Sequence, residues 1–175
     1  MVARTGVPLD SALHALQDKA DYWDAYEVGV PDDDRSALQC YLEFVRGTPK
    51  WVDRLMSIRN AVVRLFLLKP VGRLAEVRGV RAAESPGPGE RAGIFTIRSV
   101  CDREVVLEIR DTHLDAVVSV HKRSGEPARL TVTSMVFYHN ILGRLYMLPV
   151  APMHRIIVRS MLSRQRSGPV LTAPG

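Results

Sequence analysis

The sequence predicts a single α+β domain with a helix-grip fold. In this fold a curved antiparallel sheet wraps around a long C-terminal helix, and two shorter helices follow the first strand. Three observations support the class. Apolar and polar residues alternate through four consecutive segments between residues 93 and 140, as in antiparallel strands with one buried face. Two stretches with helical spacing precede this run, and an apolar stretch of helical character follows it.

The first predicted strand is DYWDAYEVGV (residues 21–30), because aromatic and β-branched residues recur in it at strand-like spacing. Pro31 and three aspartates end it. Asp34 is then expected to cap a helix in RSALQCYLEFVRG (residues 35–47), which Gly47 ends.

A second helix is predicted in KWVDRLMSIRNAVVRLFLL (residues 50–68), with Pro70 after its end. Arg59 and Asn60 interrupt its apolar stripe. The stretch VRAAESPGPGERAG (residues 80–93) is rich in Pro, Gly and charge, which predicts a mobile loop or the lip of a cavity.

Four strands follow this loop, with predicted hairpin turns at CDR (residues 101–103) and RSGEPA (residues 123–128). Each strand places its apolar residues on one face. We therefore expect the sheet to be covered on one side, with a largely polar face open to solvent on the other. The four segments are GIFTIRSV, REVVLEIRD, RDTHLDAVVSVHKR and ARLTVTSMVFYHN.

The segment ILGRLYMLPVAPMHRIIVRSMLSRQ (residues 141–165) is predicted to be helical, broken or kinked at Pro149 and Pro152, with a second half that starts at Pro152. We expect a pocket in the gap between this helix and the sheet. The predicted organisation is an N-terminal segment with a short helix (residues 1–19), one helix-grip domain (residues 20–166) and a disordered tail (residues 167–175).

The composition is typical of a soluble globular domain: 175 residues, 46% hydrophobic and 25% charged. No apolar run approaches the ~20 residues that span a bilayer, and the N-terminus lacks the apolar stretch of a signal peptide. We therefore expect a cytoplasmic protein without a transmembrane segment. Cys40 and Cys101 lie far apart in the sequence, which favours two free and mostly buried thiols.

The net charge of +5 is unevenly distributed. From Ile141 onwards there is no Asp or Glu. Such a basic segment suits nucleic acid, an acidic membrane surface or the acidic N-terminal part of the same chain, although solvation or intramolecular pairing is the simpler interpretation. Nucleic acid is not expected as a partner, because no helix-turn-helix signature or interleaving of aromatic and basic residues occurs. The basic residues of this segment are Arg144, Arg155, Arg159, Arg164 and Arg166.

Neither a metal site nor a cofactor is predicted. The histidines form no H-x-x-x-H pattern and the cysteines no C-x-x-C pattern. No P-loop, G-x-S-x-G or G-x-G-x-x-G motif occurs. The five histidines are His14, His113, His121, His139 and His154.

His113 and Asp115 are the first candidate site, since residues two apart on a strand share a face. A histidine oriented by a carboxylate is a general base. The alternation places this pair opposite the apolar set, however. A solvated polar face, or a structural hydrogen-bonded pair, is therefore the simpler interpretation.

A second candidate lies where the last strand becomes a helix. In the functional interpretation Tyr138, Asn140 and Arg144 lie at one end of a pocket and bind a carbonyl or carboxylate. In the structural interpretation Asn140 caps the helix and His139 joins a local hydrogen-bond network.

Further candidates come from cations in apolar helices. Arg59 is expected to snorkel or to pair with an acidic group such as Asp115. His154 and Arg155 are placed at the start of the last helical segment, where the helix dipole disfavours cations, so that an anion, a ligand or a carboxylate compensates. The candidate catalytic residues are His113, Asp115 and His139, and the candidate ligand-binding residues are Arg59, Asn60, Tyr138, Asn140, Arg144, Tyr146, His154 and Arg155.

Four stretches together resemble the domain-of-unknown-function 2867 family over about residues 20–166: WVDRLMSIRNAVV, DTHLDAVVSV, TVTSMVFYHNILGRLY and PMHRIIVRSML. That family resembles a branch of the SRPBCC, or START-like helix-grip, superfamily. The resemblance implies the fold, and it implies relatives that include lipid and sterol carriers and aromatic polyketide cyclases. Ala116 and Met153 stand where an aromatic residue is usual, which predicts a different or wider pocket.

Three functions stay open. The leading one is binding of a small hydrophobic or aromatic molecule between the sheet and the C-terminal helix, with polar anchors from Arg59, Tyr138, Asn140 and Arg144. The alternative is a cyclase, dehydratase or isomerase that acts on a polyketide-like substrate, with His113 or His139 as acid/base and Asp115 orienting it. A third is an interaction module that docks a protein or a membrane surface. The chain is compatible with a monomer or a homodimer.

Overall fold

The computed structural model describes residues 1–49, 51–52, 54–55 and 86–165. Among these residues, one antiparallel sheet and two α-helices with both ends described form the fold. Within these residues the sheet has seven strands in the order β1-β2-β7-β6-β5-β4-β3. The strands are β1 (Ala3–Arg4), β2 (Tyr22–Gly29), β3 (Arg91–Ala92), β4 (Phe95–Val100), β5 (Glu104–Arg110), β6 (Leu114–Arg123) and β7 (Arg129–Tyr138). The helices are α1 (Ala37–Arg46) and α2 (Ile141–Gln165), and a short 3-10 helix spans His14–Lys19. The predicted α+β helix-grip class is confirmed.

Parts of the prediction lie outside the described residues. The second predicted helix is described only at Trp51, Val52, Arg54 and Leu55, which are helical. The rest of that helix, with Arg59 and Asn60, is not among the described residues, and neither are the first half of the predicted Pro/Gly loop and the predicted tail.

Both helices pack against the same face of the sheet, which we call the inner face. Leu130 and Val132 of β7 contribute to this core, where α1 supplies Tyr41 and α2 supplies Met161 and Leu162. The hydroxyl of Tyr41 donates a hydrogen bond to the carbonyl of Ala92, which fixes α1 against β3. This apolar set is the one that the alternation predicted to be buried.

The opposite, outer face is not open to solvent, and this expectation was wrong. Val7 and Leu13 from the N-terminal segment (residues 5–20) pack against Val106, Val117 and Met135 on that face. The reason is that the outer face carries apolar residues among its polar ones, and they need a cover. The centre of the sheet is therefore enclosed on both sides.

The start of α1 differs from the prediction by two residues. Ser36, and not Asp34, caps the helix: its hydroxyl accepts from the backbone N–H of Gln39, and the Gln39 side chain accepts from the backbone N–H of Ser36. The neighbouring Asp33 does not cap α1 either, since its carboxylate accepts hydrogen bonds from the Arg35 side chain and from the buried ammonium of Lys122. Gly47 ends the helix as predicted.

The last helix is continuous through Pro149 and Pro152, so the predicted break was wrong. Both prolines lie on the exposed side of α2, where water can bond to the carbonyls of Leu145 and Leu148 that a proline leaves without a donor. By length and composition alone, α2 is apolar enough to cross a membrane. The structure packs one side of it on β2 and β7.

Both cysteines are free, as expected. Cys40 is buried in α1, and burial raises the pKa of its thiol. Cys101 is exposed in the turn after β4, because the hairpin turns away from the core there. The expectation that both thiols are buried was therefore wrong for Cys101.

Candidate functional site

Four of the predicted residues meet where β6 begins and β7 ends, in a group that we call the edge cluster: His113, Asp115, His139 and Asn140. The pairing of β6 with β7 places Asp115 opposite Phe137. The backbone N–H of His139 then donates to the carbonyl of His113 at 2.9 Å. Two sequence motifs that lie more than twenty residues apart are thus brought together by strand register.

The pairing inside this cluster differs from the predicted one. Asp115 Oδ2 lies 3.3 Å from His139 Nε2, whereas His113 Nδ1 lies 3.1 Å from the amide nitrogen of Asn140. Asp115 faces Phe137 directly and His139 diagonally across the two strands, a separation of ~7–8 Å that long side chains bridge. Asp115 therefore orients His139, and not His113.

Asn140 caps α2, as the structural interpretation predicted. Its Oδ1 accepts from the backbone N–H groups of Leu142 and Gly143, at 3.1 and 3.2 Å. This fixes the amide, so that Nδ2 donates to the Thr112 carbonyl and faces His113. A neutral His113 then accepts at Nδ1 and carries its proton on Nε2.

An open depression of about 400 Å³ lies beside the edge cluster. It is shallow, and both Asp115 and His139 are partly exposed. A carboxylate that holds an imidazole can support general base chemistry on a molecule in this depression. The lining residues are Arg110, Asp111, Thr112, Asp115 and His139.

A second polar group lies on the inner face, between the sheet and α2, and we call it the inner cluster: Tyr22, Asp24, Ser134, His154 and Arg155. Asp24 of β2 and Ser134 of β7 are direct cross-strand partners. His154 Nε2 lies 3.0 Å from Ser134 Oγ and 3.5 Å from Asp24 Oδ1. Sheet register and the helix that crosses it therefore assemble this group.

Tyr22 and Arg155 complete the inner cluster. The Tyr22 hydroxyl donates to Asp24 Oδ2 at 2.5 Å, and Arg155 Nε donates to the same hydroxyl at 3.3 Å. The guanidinium carbon lies 5.7 Å from the centre of the Tyr22 ring, within cation–π range. Burial, and then the bond to Asp24, raise the pKa of Tyr22 to about 12. Tyr22 is therefore a hydrogen-bond donor at neutral pH.

Asp24 is the most buried member of the inner cluster, with 1% of its surface exposed. Its Oδ1 has no hydrogen-bond partner among the residues that the structure describes. The three side chains Asp24, Ser134 and His154 are not a Ser-His-Asp triad, because one imidazole nitrogen faces both other groups and a triad uses two. The chemistry available here is recognition of a polar group.

The remaining predicted residues are spread between these places. His154 and Arg155 lie in the middle of α2, so the argument from the helix dipole was wrong. Tyr138 is half-buried, and burial raises the pKa of its hydroxyl. Arg144 is exposed and Tyr146 half-buried on α2. Only His154 and Arg155 of the predicted set belong to the inner cluster.

Sequence reasoning missed Tyr22, Asp24 and Ser134. A signal was present, because Asp24 stands between Tyr22 and Tyr26 on the apolar face of its strand, and Ser134 stands between Val132 and Val136. A polar residue in an apolar alternation is costly unless it has a partner or a role. No group of three or more His, Cys, Asp and Glu side chains among the described residues is arranged to hold a metal ion.

A family model described as "Protein of unknown function (DUF2867)" matches residues 16–161. The chain belongs to this family. The DUF2867 match includes every residue of the edge cluster and of the inner cluster. Comparison with curated proteins and with solved structures gave no match.

Proposed function

We propose that this DUF2867 domain binds a small, mostly apolar or aromatic molecule that carries a hydroxyl group. Its apolar body lies between the sheet and α2, and its hydroxyl meets the inner cluster. The observation that carries the proposal is Oδ1 of the buried Asp24, which lies 3.5 Å from His154 Nε2 and has no hydrogen-bond partner among the described residues. An unsatisfied buried acceptor costs about 1–3 kcal/mol, and a hydroxyl donated by a ligand removes that cost.

The neighbours of Asp24 support a polar head of this kind. Tyr22 donates to Oδ2 and stays protonated at neutral pH, which leaves Oδ1 as the acceptor for a ligand hydroxyl. Arg155 is exposed at the rim, where its guanidinium suits a carbonyl or carboxylate on the same molecule. The helix-grip arrangement, and the SRPBCC relationship that we infer from the sequence, agree with a ligand at this position.

The test compares two fluorescent probes, 2-naphthol and 2-methoxynaphthalene, which share an apolar body and differ in the hydroxyl donor. We expect 2-naphthol to bind the wild-type protein at least ten-fold more tightly, because a site built to receive a donor rejects an analogue that lacks one. Asp24→Asn is expected to remove this preference. Asp18→Asn, at an exposed carboxylate in the 3-10 helix, is the matched control and should keep it. Equal binding of the two probes, or an unchanged preference in Asp24→Asn, contradicts the proposal.

Native mass spectrometry of the purified protein, beside a denatured control, provides the complementary measurement. A small molecule that is lost on denaturation identifies the ligand class, and the same spectrum distinguishes a monomer from a homodimer. We also infer a cytoplasmic location, since Cys40 and Cys101 are free thiols.

A second candidate function is favoured by the edge cluster: an enzyme of the cyclase, dehydratase or isomerase type acting on a polyketide-like substrate. The supporting observation is the 3.3 Å contact between Asp115 and His139 beside the open depression. In this scheme His139 is the base, Asp115 orients it, and the Nε2–H of the neutral His113 donates a hydrogen bond to the substrate.

Deuterium exchange at the central carbon of 1-phenyl-1,3-butanedione tests this scheme. The wild-type protein is expected to accelerate the exchange, and His139→Gln to lose the acceleration. His14→Gln, at an exposed histidine outside the cluster, should behave as the wild type. An exchange rate equal to that of buffer alone contradicts an acid/base role.

A further inference from the structure

One side of α2 is apolar and exposed, although the helix belongs to the core. Its apolar residues recur every three or four positions, and so they lie on one side of the helix. The exposed fractions are 75% for Ile141, 55% for Leu145, 71% for Leu148 and 56% for Ile156, and Pro152 lies on the same side. We call Ile141, Leu145, Leu148, Pro152 and Ile156 the α2 stripe.

Cations accompany the α2 stripe, and no anion does. At 100° per residue, Arg144 and Arg155 lie along one edge of the stripe, and Arg159 continues its line. Arg144 and Arg159, both exposed, make no ion pair with the residues that the structure describes. No Asp or Glu occurs between Ile141 and Gln165. An apolar stripe with arginines beside it offers a membrane surface both an apolar contact and positive charge.

We propose that the α2 stripe docks the domain on the surface of an anionic lipid bilayer, with α2 parallel to the membrane plane. The stripe runs ~22 Å from Ile141 to Ile156 at 1.5 Å per residue. Its apolar side chains enter the boundary between headgroups and acyl chains, and the arginines meet lipid phosphates.

Two observations favour this surface orientation over a helix that crosses the bilayer. Val158 and Met161 hold the side of α2 away from the stripe to the core of the domain. Pro149 and Pro152 have no backbone N–H, so the carbonyls of Leu145 and Leu148 lack their helical donors. Water in the headgroup region can donate to these carbonyls, whereas the hydrocarbon core holds no water.

Charge argues against the other candidate occupants of the stripe. A second copy of α2 brings arginine against arginine. Residues 56–85 of this chain are apolar but also basic, with six Arg or Lys against two Glu. An anionic lipid surface offers both the apolar layer and the opposite charge.

The test is co-sedimentation of the full chain with vesicles of phosphatidylcholine alone, or with 30% phosphatidylglycerol. We expect at least ten-fold tighter binding to the anionic vesicles, weakened by added salt. Two double variants, Leu145→Gln with Leu148→Gln and Arg144→Glu with Arg159→Glu, are each expected to weaken this binding ten-fold or more.

Two control variants distinguish binding through the α2 stripe from nonspecific binding of the protein to vesicles. Leu9→Gln changes an 86% exposed leucine at the N-terminus, and Arg103→Glu changes an exposed arginine in the β4–β5 turn, and both should bind within two-fold of wild type. Far-UV circular dichroism and thermal unfolding verify that each variant is folded. The proposal is overturned if the wild-type protein binds neither kind of vesicle, or binds both with equal affinity. A dimer in analytical ultracentrifugation that the leucine double variant abolishes assigns the stripe to a second copy and also overturns it.

Discussion

Glu104 fixes the N-terminal segment to the outer face of the sheet, and its replacement should release that segment. The carboxylate is buried and accepts three hydrogen bonds: from Ser11 Oγ at 2.5 Å, from the Ala12 backbone N–H at 2.8 Å and from Ser119 Oγ at 2.5 Å. Two of these donors belong to the segment. One carboxylate therefore connects β5, β6 and the segment that covers them.

Two replacements of Glu104 are expected to differ in size. In Glu104→Gln the amide oxygen still accepts from Ala12, and its NH₂ group donates to the two serine hydroxyls, so only charge assistance is lost, at about 1 kcal/mol. In Glu104→Ala the buried donors lose their acceptor, at about 3 kcal/mol. Since 1 kcal/mol corresponds to ~2–4 °C for a domain of this size, the melting temperature should fall by ~2–4 °C and ~6–12 °C respectively.

Thermal unfolding followed by circular dichroism measures both shifts, and amide hydrogen exchange locates their cause. In Glu104→Ala the amides of residues 5–20 should lose protection while those of β7 keep theirs at temperatures well below unfolding. A melting temperature within 1 °C of wild type for the alanine variant, or unchanged protection of the segment, refutes the reasoning.

Three further changes test other parts of the fold. Gly143→Ala should destabilise the protein by ~2 kcal/mol or more despite the better helix propensity of alanine, because a Cβ there would lie 2.2 Å from the His113 carbonyl oxygen; a melting temperature at or above wild type contradicts this. Lys122→Met should cost about 2–4 kcal/mol in guanidinium unfolding, because the buried ammonium donates to the carbonyls of Asp33 and Arg35 and a methionine leaves them unpaired; a loss under 1 kcal/mol argues against that role. The hydrogen bond from Arg35 lowers the pKa of Asp33 to about 2 from an ordinary 3.8, so the ionised Asp33 stabilises the fold above pH 4 and this effect is lost as the pH falls from 4 to 2. Asp33→Asn should remove this part of the pH dependence of stability, which amounts to ~1 kcal/mol or less after solvent screening. A pH profile identical to that of the wild type contradicts this.

The strands were predictable because their signal is local. A period of two marked β2 and β4 to β7 to within a few residues, and the run of hairpins fixed their antiparallel order. Gly47 and Asn140 were found at helix ends for the same reason, since capping depends on neighbouring residues.

The errors arose where distant contacts decide. The alternation within each strand predicts a polar outer face. The cover that Val7 and Leu13 provide for this face is visible only in the folded structure. Asp115 was assigned to the nearest histidine in sequence, yet the neighbouring strand brings His139 to it along the diagonal. A proline predicts a helix break, unless water can bond to the carbonyl that the proline leaves without a donor. In α2 both Pro149 and Pro152 lie on the exposed side, and the helix continues.

Two buried carboxylates in this domain separate a structural role from a binding role. Glu104 accepts three hydrogen bonds from the described part of the chain, whereas Asp24 accepts one there, from Tyr22, and its Oδ1 has only the 3.5 Å contact with His154 Nε2. Neutral amides should therefore act in opposite directions. Glu104→Gln lowers the free energy of unfolding. Asp24→Asn leaves the free energy of unfolding equal or raises it by about 1 kcal/mol, because the NH₂ group of the asparagine stands in place of the unsatisfied acceptor and can donate a hydrogen bond to His154. Denaturant unfolding of both variants in one buffer measures the two signs. A larger loss for Asp24→Asn than for Glu104→Gln makes Asp24 a structural residue and removes the reason to place a ligand beside it.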